Sequence, residues 1–391
     1  MGQAQGQATD LGLSPRRERA FAALVGALVA DAAALGFHWL YDVERLAERG
    51  GERPEFQTPD PLDFAGVPGY FAHPGKRAGD LSQYGEGLLV LATTLLRAEG
   101  RYSVRAHQGV FQEVFGSGGT WSGYVDHPTQ ATLRNLERGT QAALEAGLAA
   151  GSGIPAEARA GAVQRILAKA RLASGDELLE TLQAAQEAPL SEGARAAAVA
   201  LDAAWPEASG DQDLQLPALS GLVPLVAIGL DDADIERATR VTHHDDEAVG
   251  WALASAAGLR VALSGGTPKE AVAAVAEAAR DPLAERLAEG LAITGTAVDV
   301  IGILGRNCTL RNAVPGLLNV AAAAPSYEVG VRENVRAGGD SCGRATLLGG
   351  ILGACYGVGG SRGVPYPWLA RLERAAPRIA TCHGLASFVP F

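Results

Sequence analysis

The chain has 391 residues, 47% of them hydrophobic, and a formal net charge of −11 at pH 7. That length and apolar content suffice for a large core, and no strong linker divides the chain, so it reads as one large unit. The acidic balance speaks against nucleic acid and membrane surfaces as partners, which carry charge of the same sign, but a small anionic ligand needs only one local positive site.

Residues 1–16 are polar. They lack the apolar run of a signal peptide, and Gly6 stands where a myristoylation pattern needs Ser or Thr. They read as a disordered tail ahead of a domain over 17–391. Phe21, Leu24, Val25, Leu28, Val29, Ala32 and Leu35 then recur at spacings of three and four, the stripe of a buried helix. Asp31 falls on or beside that stripe, and a buried carboxylate needs a partner. If the helix runs on, His38 shares its face. The pair reads either as a buried cap with a satisfied core histidine or as part of a site. Charge and glycine interrupt every long apolar run, so no membrane-spanning helix is expected.

Residues 50–80 form a long Pro-, Gly- and aromatic-rich excursion. Ser82 follows as a candidate N-cap for a helix carrying Leu88, Leu91, Ala92 and Leu95, with Glu86 in its first turn. Residues 116–128 are a Gly-rich loop bearing Trp121 and Tyr124, and long ordered loops tend to carry function. Segments 129–148, 158–188, 190–205, 245–264 and 267–292 are Ala- and Leu-rich and read as helices. Residues 206–217 and 357–367 read as breaks. The string Thr242-His243-His244-Asp245-Asp246-Glu247 suggests metal, but adjacent residues do not share a helix face. Only His243 and Glu247 have i,i+4 spacing, so zinc is disfavoured.

The string Gly338-Gly339-Asp340-Ser341-Cys342-Gly343-Arg344 opens a small-residue helix with Asp340 as candidate N-cap, and the free N–H groups of such a start suit anions. Arg344 either pairs with Asp340 at i,i+4 or meets a ligand phosphate or carboxylate. Gly349, Gly350, Gly353 and Ala354 let neighbouring helices approach closely. Cys308, Cys342, Cys355 and Cys382 form no CxxC pair and read as free thiols of a cytoplasmic protein. Alternating β-branched runs are almost absent, so the fold class expected is all-α.

These strings, in this order, resemble the ADP-ribosylglycohydrolase superfamily. GALVADAAALGFH answers the family's first motif, SQYG the second, Thr242-His243 the third and GGDSCG the fourth. DAAALGFHWLYD from Asp31, Gln83-Tyr84-Gly85 and the run from Gly338 to Arg344 look closer still to its J-type crystallin-like branch. So do Arg306-Asn307-Cys308 leading into Pro315, and Pro365 to Trp368. The resemblance implies a single large orthogonal helical bundle and, in metal-bearing members, two magnesium or manganese ions acting on a ribosyl glycosidic bond.

Where the family has metal-binding residues, this chain mostly departs from them. His38 replaces a Glu, Gln83 and Tyr84 replace two Asp, and Gly85 a Thr; Ser341, Cys342 and Gly343 replace Thr, Asp and Thr, while Asp340 remains. Hard divalent ions depend on several carboxylate oxygens, so a weak or absent metal centre is expected, with no cofactor. Asp31, His38 and Asp340 are then the candidate catalytic groups. The candidate ligand contacts are Ser82, Gln83, Tyr84, Trp121, Tyr124, His243, Ser341 and Arg344. The ligand implied is ADP-ribose-like, free or attached to protein. Three readings follow: a hydrolase, a non-catalytic nucleotide binder, and a crystallin-like structural protein.

Overall fold

The computed structural model describes residues 14–151 and 192–390. The helix expected over 158–188 and residues 1–13 of the tail expected over 1–16 lie outside the described residues, while Pro15 and Arg16 already belong to the first helix. Seventeen α-helices and only isolated β-bridges occur among those described, which gives an all-α bundle.

The centre of the bundle is the first helix, Pro15–Ala34, packed along the helix Ser341–Tyr356. Every residue from Ala20 to Ala34 and from Ser341 to Ala354 is buried. Small residues make this closeness possible: a side chain at Gly26 would meet the Gly349 carbonyl at 2.5 Å, and the Tyr327 hydroxyl donates to the Gly26 carbonyl at 2.5 Å. Filling such a seam costs about 1–3 kcal/mol. By length and composition alone the first helix could cross a membrane, but its apolar window is entirely inside the protein, where it serves as core.

The helical stripe does not reach His38. The first helix ends at Ala34, a tight turn covers Leu35–Phe37, and His38 caps that turn with φ −59° and ψ 124°. The excursion packs against this point, since a Cβ at Gly36 would lie 2.6 Å from Gln57. Trp39 then takes φ 65°, a conformation costly for a bulky residue. It is held there by its N–H donating to the Gly339 carbonyl at 2.8 Å and by the Tyr70 N–H donating to the Trp39 carbonyl at 3.0 Å. The stretch 267–292 forms two helices, Pro268–Ala278 and Leu283–Ala292, because Pro282 cannot continue a helical ladder. Gln83–Arg97 starts as expected, with the Ser82 hydroxyl accepting from the Tyr84 N–H at 3.1 Å.

Candidate functional site

Three chain segments meet at Asp340, which is fully buried. It caps the helix Ser341–Tyr356, accepting from the Gly343 N–H at 3.0 Å. The same oxygen, Oδ1, lies 2.9 Å from His38 Nε2, and Oδ2 accepts from the Tyr84 hydroxyl at 2.7 Å. Burial alone would raise this carboxyl. The hydrogen bond and charge of His38, the Tyr84 hydroxyl and nearby Arg344 outweigh it and hold Asp340 below its ordinary value. Tyr84 moves well up, through burial and the charge of Asp340.

Behind His38 stands His73, which the sequence reading did not single out. His38 Nδ1 and His73 Nε2 are 2.6 Å apart, and the rings stack with centroids at 4.9 Å. Burial, then the charge of His38, push His73 down to about 2, so it is neutral. With Asp340 ionised, His38 Nε2–H donates to it, and a single proton is shared between His38 Nδ1 and His73 Nε2. His73 Nδ1 is buried and has no hydrogen-bond partner among the described residues. The only sequence signal for His73 was its place in the long excursion.

Asp31 is also fully buried but looks elsewhere. It accepts from the Ser82 N–H at 2.8 Å and from the Ser82 hydroxyl. Burial outweighs those bonds and lifts it to about 6. Gly85 sits against it, because any Cβ there would strike the Asp31 carboxylate. Gln83 is spent on the glycine-rich loop: its amide donates to Thr129 Oγ1 at 2.7 Å and accepts from the Asp126 N–H at 2.8 Å. Asp126, buried and raised above its usual value by burial, is a second residue that sequence reasoning missed.

Several sequence candidates have other employment. Arg344 is fully buried and forms no ion pair with Asp340. Its guanidinium donates to Asn334 Oδ1 at 2.8 Å and to the Gly338 carbonyl at 2.5 Å, which braces the turn before Asp340. Its Nη1 is buried with no hydrogen-bond partner among the described residues, and burial pushes the guanidinium down to about 10. The Ser341 hydroxyl donates to the Ala34 carbonyl at 3.4 Å, and Cys342 faces the Asp31 carbonyl.

His243 is fully buried at the end of the helix Asp232–Thr242. Its Nδ1 lies 3.0 Å from the Thr242 hydroxyl, while Nε2 has no hydrogen-bond partner among the described residues and sits 3.8 Å from Asp213. Burial takes it to about 3. Asp245 caps the next helix and Glu247 pairs with Arg311, so the acids of that string are structural. A cavity of about 40 Å³ behind Gln83 shares His243 and His107 with this region and is otherwise largely apolar.

The mouth of the site is aromatic. Trp39 contacts Tyr124 and Tyr70 with ring centroids 4.9 and 5.7 Å away. Trp121 donates its indole N–H to the Tyr124 carbonyl at 3.0 Å, and Lys76 lies 3.9 Å above its ring.

The residues present do not fit a two-metal centre. Both oxygens of Asp340 are taken by His38 and Tyr84, Gln83 is tied to Thr129 and Asp126, and Cys342 faces Asp31. Among the described residues no group of three or more His, Cys, Asp or Glu side chains is gathered as a metal requires.

The all-helical bundle that carries this centre is a fold already known. A solved structure described as an ADP-ribosylglycohydrolase-related protein complex superposes with a TM-score of 0.59 at 18% identity, covering 97% of this chain and 100% of that one. The chain belongs to the ADP-ribosylglycohydrolase family, whose family model matches residues 13–387. It is also 25% identical to Crystallin J1A of Tripedalia cystophora over 371 residues, 92% of this chain and 93% of the relative.

Proposed function

We propose that the chain hydrolyses a ribosyl glycosidic bond at the Asp340 centre, without the two-metal chemistry of metal-bearing members of the family. The observation that carries this reading is Asp340 itself: a fully buried carboxylate kept ionised by His38 and Tyr84, which come from distant parts of the chain. Buried polar networks are costly to assemble, and a perturbed carboxylate gathered with an imidazole and a phenol is the kind of grouping that acid–base chemistry uses.

Glycosidic bonds break through an oxocarbenium-like state. A preorganised negative charge at Asp340 favours that state in a site shielded from water. His38 and His73 fix the charge and offer a route for a proton between two imidazoles. Asp31 and Ser82 hold the start of the helix bearing Gln83 and Tyr84, while Trp121 and Tyr124 offer ring faces to a base. The ligand is a ribosyl compound, free or attached to protein, and four free thiols suit a cytoplasmic setting.

The test is release of ribose or ADP-ribose from ribosylated substrates, with and without EDTA, by the intact chain and by Asp340→Asn. Release that ignores the chelator and disappears in the variant supports the proposal. Release that needs added Mg²⁺ or Mn²⁺ contradicts it. Tight binding without release favours a non-catalytic binder. Neither binding nor release favours a structural protein, the reading suggested by the likeness to Crystallin J1A.

A further inference from the structure

The cavity of about 40 Å³ behind Gln83 is lined by none of Asp340, His38 or Tyr84. It lies among the helices Gln83–Arg97, Val104–Phe115, Leu222–Ala227 and Asp232–Thr242. Leu91, Phe111, Phe115, Leu222 and Leu225 make most of its wall apolar, and among the described residues no Asp, Glu, Lys or Arg lines it. At roughly 10–15 Å³ for each water, the space suits about three waters or one organic molecule of about four heavy atoms.

Most polar side chains on this wall are engaged elsewhere. Gln83 donates to Thr129, Thr239 donates to the Ile235 carbonyl, and the nitrogens of His243 stand beside Thr242 and Asp213. Two side chains keep spare capacity. His107 Nδ1 lies 3.1 Å from the Tyr102 hydroxyl, but its Nε2 has no hydrogen-bond partner among the described residues, and neither has the Ser220 hydroxyl. Both residues are buried, His107 at 2% and Ser220 at 7% exposure. Burial lowers His107 to about 3, so its ring is neutral. A buried polar group without a partner is destabilising, and here two such groups line one cavity.

We propose that this cavity is a second binding site, for one small uncharged molecule that carries both a hydrogen-bond donor and an acceptor: a short primary amide or alcohol. The apolar wall takes its hydrocarbon end, while Ser220 and His107 take its polar end. Mostly apolar pockets with a few placed polar groups bind small molecules in this way. A ligand with donor and acceptor satisfies a hydroxyl and a neutral imidazole in either tautomer. Ions are rejected, because no charge on the wall offsets the loss of their hydration. The site stands independently of the ribosyl reading, since it shares no catalytic group with the Asp340 centre.

Acetamide, acetate and isobutene share one flat shape and differ in polarity and charge, so they test this on the intact chain by methyl NMR of the leucines. Acetamide should give saturable shifts at Leu91, Leu222 and Leu225 and bind at least about tenfold more tightly than isobutene. Acetate should give no shift there. Ser220→Ala and His107→Phe should each weaken acetamide by about tenfold and leave isobutene no weaker. Unmoved leucine signals far from the cavity show that the fold persists, and Ser220→Ala, which removes a single oxygen, decides the matter if His107→Phe fails to fold. No saturable shift with acetamide, acetate binding as well as acetamide, equal affinity for acetamide and isobutene, or full acetamide affinity in Ser220→Ala overturns the proposal. So does a crystal soaked in acetamide whose cavity holds water alone.

Discussion

Asp31 and Asp340 are both fully buried carboxylates, yet they have opposite fates. Among the described residues the Asp31 carboxylate has only Ser82 as hydrogen-bond partner, and burial wins, lifting it to about 6. Asp340 has His38, Tyr84 and the Gly343 amide, with Arg344 close by, and the partners win, holding it below its ordinary value. Burial does not decide whether a carboxylate stays charged; the number and sign of its partners do. The same contrast separates the Asp340 centre from the Thr242–Glu247 string. Both look like sites in sequence, but the acids of the second cap a helix or pair with arginine.

The comparison breaks most visibly at Asp340. Asp340→Asn strips the anion from His38 and Tyr84 and should cost about 3–5 kcal/mol in denaturant unfolding, the usual loss when one member of a buried pair is removed. An unchanged midpoint would mean the network contributes nothing.

Next comes the pH dependence. Asp31 is raised in the folded state, so its stability contribution is full below about pH 4 and is lost as pH rises through about 6. Asp31→Asn lacks that loss. Relative to the variant, wild type should weaken by about 3 kcal/mol between pH 4 and 6 and change no further above. Asp340, lowered in the fold, acts in reverse: its contribution is present above about pH 4 and fades as pH falls. His73, lowered to about 2, also weakens the fold progressively as pH drops below about 6.5. A flat difference between wild type and Asp31→Asn would show that Asp31 is not in the environment described.

Tyr84→Phe removes one hydrogen bond to a charged acceptor and should cost about 1.5–3 kcal/mol, with Asp340 titrating higher by carboxyl NMR. The smallest effect belongs to the string that only resembles a site. Asp246→Asn loses an exposed pair with Arg240 and should leave the melting temperature and any ribosyl release unchanged.

Much of this was legible from local pattern. Helical spacing located the first helix and the buried side of Asp31, and the N-caps at Ser82 and Asp340 sit where short-range hydrogen-bonding rules place them. The rest depends on partners far along the chain. Nothing near Arg344 says that Asn334 and Gly338 will claim it, and nothing near His73 says that it will stack on His38, 35 residues away. The stop at Ala34 lies where Gln57 packs so close to Gly36 that a Cβ would not fit, a contact the helical period cannot register.

The account stands on Asp340 being satisfied by protein groups alone. Crystals soaked in Mn²⁺ and measured for anomalous scattering test it directly. The prediction is no manganese peak at coordination distance from Asp340, with His38 and Tyr84 still bonded to its two oxygens. A manganese ion bound to Asp340, with either partner displaced, would contradict it.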